Sequence, residues 1–290
     1  QLGGVYVDLT GGNPLLVPWL PEILSECKKL KLYTSLTISG PRIVTASPEV
    51  FQMPSLLRFS IDGDEDFHNA NRGKGYFDYV REGLKIAGKL RNSKNTQLIF
   101  TIVPGEKGNI DREQFASVLQ LARENQVLVN VNPLFNIKKM SKTELSDLRW
   151  FAKQADVQMS RGKLRFVLRG GNNHCNATCK AISSVATISS DNNLVLPCYH
   201  NPQAKISLDD GLKKALDSEK RLSLLEKEGS LEFCHGCSIW CYVVPSFIYH
   251  VLDRVVVWEH ALSGFQAVRD SALKAAGKCH LGLPYPYFEY

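Results

Sequence analysis

Short apolar runs of strand character take turns with longer segments of helical spacing along the first 170 residues. That alternation restricts the fold more than any other feature of the chain. The strand-like runs are Gly4–Leu9, Tyr33–Ile38, Leu56–Ile61, Gln97–Val103 and Val127–Val131, bounded by Gly, Pro or Asn. The helical segments between them are Pro18–Leu30, Tyr76–Leu90, Asp111–Glu124 and Lys142–Ala155. Near-continuous apolar strands joined by helices predict an α/β fold, a parallel sheet covered by helices. Ser141 with Glu144 three residues on has capping-box spacing. Five βα units without a closing set predict a partial barrel.

Ligands of such sheets sit at the carboxyl ends of the strands, where loops and helix N-termini gather. The segments placed there are polar and glycine-rich. They are Thr10-Gly11-Gly12-Asn13-Pro14, Ser60-Ile61-Asp62-Gly63, Pro104-Gly105 and Asn130-Val131-Asn132-Pro133. His68 and Asn71-Arg72-Gly73 follow the second of these on what reads as a loop. Taken alone, Gly11-Gly12 is either a tight turn or a backbone that admits a ligand. Ser60 and Asp62 share a strand face and are either a polar strand end or donors to a ribose-like diol. The residues leave both pairs of readings open.

Beyond residue 170 the texture changes. Gly170-Gly171-Asn172-Asn173 reads as a hinge, which sets a domain boundary with 1–171 before it and 172–290 after it. Ser183–Ile188 and Leu194–Leu196 flank an Asn-rich turn and predict a hairpin. Leu208–Glu228 reads as one charged surface helix, with Phe247–Val257 and Ala261–Ala276 as further helices. Apolar residues make up 44% and charged residues 22% of the chain, which excludes disorder, collagen and coiled coil. No run approaches the roughly 20 apolar residues of a membrane helix, because Pro245, His250, Asp253 and Arg254 interrupt Val243–Trp258. The balance of 35 basic against 29 acidic residues is scattered, without the basic stripe of a nucleic-acid binder. Gln1 is not an initiator, so the chain reads as cut at its start.

Six of the eight cysteines crowd between Cys175 and Cys241. They run Cys175-x3-Cys179, then Cys198, then Cys234-x2-Cys237-x3-Cys241. Such spacing is typical of metal or iron–sulfur ligation in a reducing compartment, because neighbouring thiolates on one loop can grip one centre. Zinc would take four thiolates, such as Cys175, Cys179, Cys234 and Cys237; iron–sulfur clusters would draw on the same residues. His174, His235 and His280 each adjoin a cysteine and read as supporting or surface groups. Trp240 and Tyr242 supply apolar cover, Cys27 reads as core, and Cys279 is undecided.

Together these segments resemble the radical S-adenosylmethionine enzymes that carry a C-terminal SPASM or twitch domain. Val7-Asp8-Leu9-Thr10-Gly11-Gly12-Asn13-Pro14-Leu15-Leu16 is similar to that family's TGGEPLL segment. Phe59-Ser60-Ile61-Asp62-Gly63 with His68, Arg72-Gly73 and Phe77 resembles its SLDG…H…RG…F stretch. Asp191-Asn192-Asn193-Leu194-Val195-Leu196-Pro197-Cys198 resembles the auxiliary-cluster hairpin, and Cys234-His235-Gly236-Cys237 with Cys241 the later cysteine group.

The resemblance implies a partial (βα)6 TIM-like barrel entered at its second strand, then a small cysteine-rich α+β domain. It implies that Thr10, Gly11, Gly12 and Asn13 hold the amino and carboxyl ends of S-adenosylmethionine. Ser60 and Asp62 would sit near its ribose, and Asn132 to Leu134 near its adenine. Cys175, Cys179, Cys198, Cys234, Cys237, Cys241 and Cys279 become candidate ligands of one or two auxiliary 4Fe–4S clusters. The activity implied is that of an oxidoreductase or transferase-type enzyme, in which a 5′-deoxyadenosyl radical abstracts hydrogen from an unactivated carbon. The implied partners are a peptide or small-molecule substrate and an electron donor such as flavodoxin or ferredoxin, in the cytoplasm.

Two departures define the alternatives. The family's CxxxCxxC loop, which binds the catalytic cluster, belongs before the first strand here and does not occur in these residues. Asn13 stands where the family has glutamate, so charge attraction to the cofactor's ammonium is given up. The chain is therefore expected to be a radical enzyme whose loop lies upstream. The alternatives are a catalytically silent, partner-binding relative or a zinc-stabilised α/β protein.

Overall fold

The computed structural model describes residues 4–102, 112–133, 141–154, 156–159 and 161–246. Six parallel strands form one sheet: β1 (Tyr6–Leu9), β2 (Tyr33–Ile38), β3 (Leu56–Ile61), β4 (Thr96–Ile102), β5 (Leu128–Pro133) and β6 (Val157–Gln158). They lie in the order in which they occur along the chain. Between them run α1 (Leu20–Lys29), α2 (Pro48–Gln52), α3 (Glu65–Arg72), α4 (Tyr76–Leu90), α5 (Arg112–Glu124) and α6 (Lys142–Phe151). The final strand follows α6, and α7 (Arg161–Leu168) leads out of the sheet. Sequential order with right-handed crossovers lays connecting helices on one face of a parallel sheet.

The two faces of this sheet differ in chemistry, a consequence of the two-residue period of strands. One face carries Leu36, Ile38, Leu57, Phe59, Ile61, Leu98, Phe100, Val129 and Val131, all buried in the main core. Phe51, Phe115 and Phe151 close on it from the helices, each fully buried. The other face carries Asp8, Ser35, Thr37, Arg58, Ser60, Gln97, Asn130 and Gln158, brought side by side by the parallel register. Here Arg58 pairs with Asp8 at 3.6 Å across β2, and Gln97 bonds to Gln158. The strands thus alternate, where their composition had suggested uninterrupted apolar runs.

A second sheet is antiparallel and small: β7 (Thr187–Ile188), β8 (Asn193–Leu196) and β9 (Ala204–Ser207). The predicted hairpin is its first half, turning at Asn192 with φ of 56°. A third strand extends it. The expected helix over 208–228 is two helices, α9 (Leu212–Leu216) and α10 (Glu219–Leu225). The break falls at Ser218, whose hydroxyl accepts the Arg221 amide as the cap of the second helix. Short α8 (Ala181–Ser184) precedes this sheet, and α11 (Trp240–Ser246) ends the described chain. Val243 of α11 joins the main core, while Tyr242 packs with Ala181, Ile239 and the cysteines. The helices expected at Phe247–Val257 and Ala261–Ala276, with Cys279 and His280, lie outside the described residues. Among the described residues no helix is long and apolar enough to cross a membrane.

Candidate functional site

The loop after β1 is an exposed shelf. Thr10, Gly11 and Gly12 are exposed, and a Cβ built on either glycine would meet nothing within 4 Å. Packing therefore does not demand glycine at position 12, and space above the backbone is open. Asn13 is committed inside the loop. Its Oδ1 accepts the Leu15 amide at 3.2 Å and its Nδ2 donates to the Ser39 carbonyl at 2.7 Å, tying the loop after β1 to the end of β2.

The segment after β3 is equally committed. Asp62 is 6% exposed, and both its oxygens accept from Arg72, at 2.6 Å from Nε and 2.8 Å from Nη2. Its amide donates to His68 Nδ1 at 3.2 Å. His68 and Arg72 are not on a loop: they belong to α3, which Asp64 caps by accepting the Phe67 amide. Gln114 of α5 bonds both the amide and the carboxylate of Asp64. Burial holds His68 well below the ordinary imidazole value, at about 4, so it stays neutral beside Asp62. The Asp62 carboxylate expected near a ribose is thus engaged by an arginine. Ser60 lies in β3 opposite Ile99, and Asn132 in β5 opposite Thr101, both half-buried on the polar face. Leu134 lies outside the described residues.

The cysteines form the other candidate site. Cys179, Cys198, Cys234 and Cys237 line one cavity with Asn172, Ala181, Pro197, His200, Phe233, Ile239 and Tyr242. Three separate segments deliver them: the loop before α8, the end of β8 and the knuckle before α11. Cys198 enters this set where spacing had offered Cys175. Burial raises all four thiols, Cys179 to about 12 and Cys234 to about 11, and neighbouring thiols add to the rise at Cys179, Cys234 and Cys237. Backbone amides oppose it: Ala181 faces Cys179, His200 and Asn201 face Cys198, and Ile239 faces Cys237. Such amides two or three residues downstream are fixed dipoles aimed at sulfur, ready to stabilise a thiolate once a cation compensates its burial.

Cys175, Cys241 and Cys27 do not line this cavity, although Cys241 lies near enough to Cys198 and Cys237 for their charges to interact. Cys175 is exposed, 3.5 Å from His174 Nε2, and His174 meets His235 Nδ1 to Nδ1 at 2.9 Å. Cys241 keeps an exposed surface, yet the surrounding chain and the Asp8 carboxylate of β1 hold its thiol up at about 12. Cys27 is 7% exposed in α1, a core residue as expected. Among the described residues no group of three or more His, Cys, Asp or Glu converges tightly enough to hold a single metal ion. The four thiols surround a space instead of a point.

The segment read as a hinge frames this cavity. Asn172 is 1% exposed, and its Nδ2 donates to the carbonyls of Gly229 and Cys234 at 2.8 and 3.1 Å. Its Oδ1 accepts the Cys179 amide at 2.9 Å. A Cβ on Gly171, with φ of 76°, would fall 2.5 Å from the Gly236 carbonyl oxygen. One on Gly229 would fall 2.4 Å from that of Cys179. Gly171 and Gly229 serve close backbone approach.

No family model matches the chain, and no curated protein matches it. Solved structures do. Streptococcus suis SuiB superposes with a TM-score of 0.55 at 16% identity, covering 85% of this chain and 64% of SuiB. The anSMEcpe protein with bound AdoMet superposes with a TM-score of 0.53 at 13% identity, covering 96% of this chain and 86% of that one. SuiB bound to its precursor peptide SuiA gives 0.54 at 15% identity, over 85% of this chain and 62% of that one. This chain shares the fold of these structures, one of which holds AdoMet and another a precursor peptide. It spans less than two thirds of SuiB.

Proposed function

We propose that this chain acts as a radical S-adenosylmethionine enzyme with one auxiliary 4Fe–4S cluster held by Cys179, Cys198, Cys234 and Cys237. The observation that carries the reading is the cavity: four soft thiols from three segments, apolar walls of Ala181, Pro197, Phe233 and Ile239, and backbone amides aimed at sulfur. Four thiolates are the usual ligand set of such a cluster. An apolar wall around them excludes water and tunes potential. When bound, an auxiliary cluster supplies a one-electron relay or a ligation site close to the substrate.

In this reading the sheet is a partial barrel, the boundary falls at 171/172, and the polar face receives cofactor and substrate. The exposed Gly11-Gly12 shelf would let S-adenosylmethionine approach the backbone. That cofactor, reductively cleaved, supplies a 5′-deoxyadenosyl radical for hydrogen abstraction. Asn13 shapes the shelf through Ser39 and Leu15, and the Arg72–Asp62 pair with neutral His68 holds the neighbouring loop rigid. Peptide capture by SuiB makes a peptide the first substrate class to try, with a flavodoxin or ferredoxin as reductant in a cytoplasmic setting.

Iron and acid-labile sulfide per chain after anaerobic reconstitution test the cluster. About four of each support the proposal. About eight would bring Cys175, Cys241 and Cys279 in as a second set, and neither would overturn the iron reading in favour of zinc. A catalytically silent relative is the second reading, favoured by the internal commitment of the Asn13 amide. 5′-Deoxyadenosine formed by the full-length protein with reductant decides against it.

A further inference from the structure

Resting on the cysteine cavity just proposed, we infer that Asn172 is the positioning residue that assembles the cavity, holding three of its four thiols in register before any metal arrives. The four cysteines are spread along the chain from position 179 to position 237, so something must set their segments against one another. Asn172 does so with five hydrogen bonds. Its side chain takes the Cys179 amide at 2.9 Å and donates to the Gly229 and Cys234 carbonyls at 2.8 and 3.1 Å. Its backbone N–H donates to the Cys237 carbonyl at 2.8 Å, and its carbonyl accepts the Gly236 amide at 2.8 Å. Every polar group of this residue is therefore spent on a cysteine-bearing loop or on the turn beneath it.

The residue is 1% exposed and lines the cavity itself. An amide is the side chain of this size that both donates twice and accepts. Asn172→Asp keeps the shape and the acceptor for Cys179 but turns two donors into acceptors facing the Gly229 and Cys234 carbonyls. Asn172 is thus matched to its place in shape and in hydrogen-bond polarity together. A partner behind a metal ligand commonly changes metal affinity by 10- to 100-fold.

The test compares wild type, Asn172→Asp, Asn172→Ala and the exposed neighbour Asn173→Ala as full chains. The first readout is the rate at which the reconstituted protein loses iron to a chelator, at a temperature where circular dichroism shows every variant folded. Asn172→Asp and Asn172→Ala should lose iron on the order of 10- to 100-fold faster, with the electron paramagnetic resonance signature of a three-iron cluster. Asn173→Ala, which removes the bond its side chain takes from the Cys175 amide at 3.1 Å, should lose iron at the wild-type rate. The second readout needs no cluster: hydrogen exchange of the apo chains should rise in both Asn172 variants over 175–179 and 229–237, while β2 and β3 stay protected. Wild-type rates of iron loss with unchanged exchange in both segments would overturn the inference. So would exchange that rises equally throughout the chain, since that marks general loss of stability. If wild type takes no iron, the cluster reading falls by itself and hydrogen exchange still decides the role of Asn172.

Discussion

The end of the parallel sheet and the cysteine cavity are both built from polar or reactive side chains, but those side chains are engaged differently. At the sheet end the motif residues already have partners. Asn13 is bonded to Ser39 and Leu15, Asp62 to Arg72, and His68 to the Asp62 amide. In the cavity it is the frame that is bonded, through Asn172, while the thiols are raised by burial and by one another. A buried ionisable group without a counter-charge stays neutral. The contrast separates two uses of conspicuous residues: at the sheet end they are bonded to one another and shape a shelf, and in the cavity they face one another across a shared space.

Serine substitutions break the comparison most sharply. Cys179→Ser, Cys198→Ser, Cys234→Ser and Cys237→Ser should each cut reconstituted iron per chain severalfold, whereas Cys175→Ser and Cys241→Ser should leave it near wild type. Iron and sulfide analysis on matched preparations checks this, and equal losses for all six would erase the distinction drawn inside the cysteine group. Arg72→Ala comes next. It strands a carboxylate that is 6% exposed, and removing one member of a buried pair costs about 3–5 kcal/mol. Because Arg72 is itself 27% exposed at the side chain, the lower end is expected in urea denaturation.

Acid should weaken the sheet end by a related route. His68 is held at about 4 against 6.5, so its neutral form is favoured by folding. That contribution is complete above pH 6.5 and is lost as pH falls towards 4, at most roughly 3 kcal/mol. A His68→Gln chain should show a flatter stability profile over that window. The thiols act at the other extreme. Cys179, raised from 9 to about 12, favours folding while protonated, so the apo protein should lose stability as pH climbs from 9 to 12. Protein carrying the cluster should resist that loss.

Gly12→Ala gives the smallest structural effect and the finest discrimination. Nothing lies within 4 Å of the new methyl group, so stability should change by less than about 0.5 kcal/mol. Binding of S-adenosylmethionine, followed by calorimetry, should nevertheless weaken. Unaltered binding would move the ligand off this shelf.

Much of the sheet was legible because apolar strand runs and helical spacing are local signals. Tyr33–Ile38, Leu56–Ile61 and Tyr76–Leu90 have the bounds that pattern alone predicts. What was not legible depended on distant partners. α3 reads as a loop because Asp64, Glu65 and Asp66 are polar, and only its packing through His68 and its Gln114 contact reveal it. β6 is two residues long, too short to carry a period. The double glycine before Asn172 has the composition of a hinge; the carbonyls it approaches lie more than fifty positions away. Spacing nominated a whole group of cysteines, but choosing Cys198 over Cys175 required the turn of β8.

The cavity draws on chain from Asn172 through Cys237, with α11 closing it on one side. A ribosome emitting this protein releases Cys179 and Cys198 long before their companions, so no complete binding site exists on the nascent chain until the knuckle at Cys234–Cys237 has emerged. On the proposed cluster reading, iron could be loaded only after Cys237 has emerged.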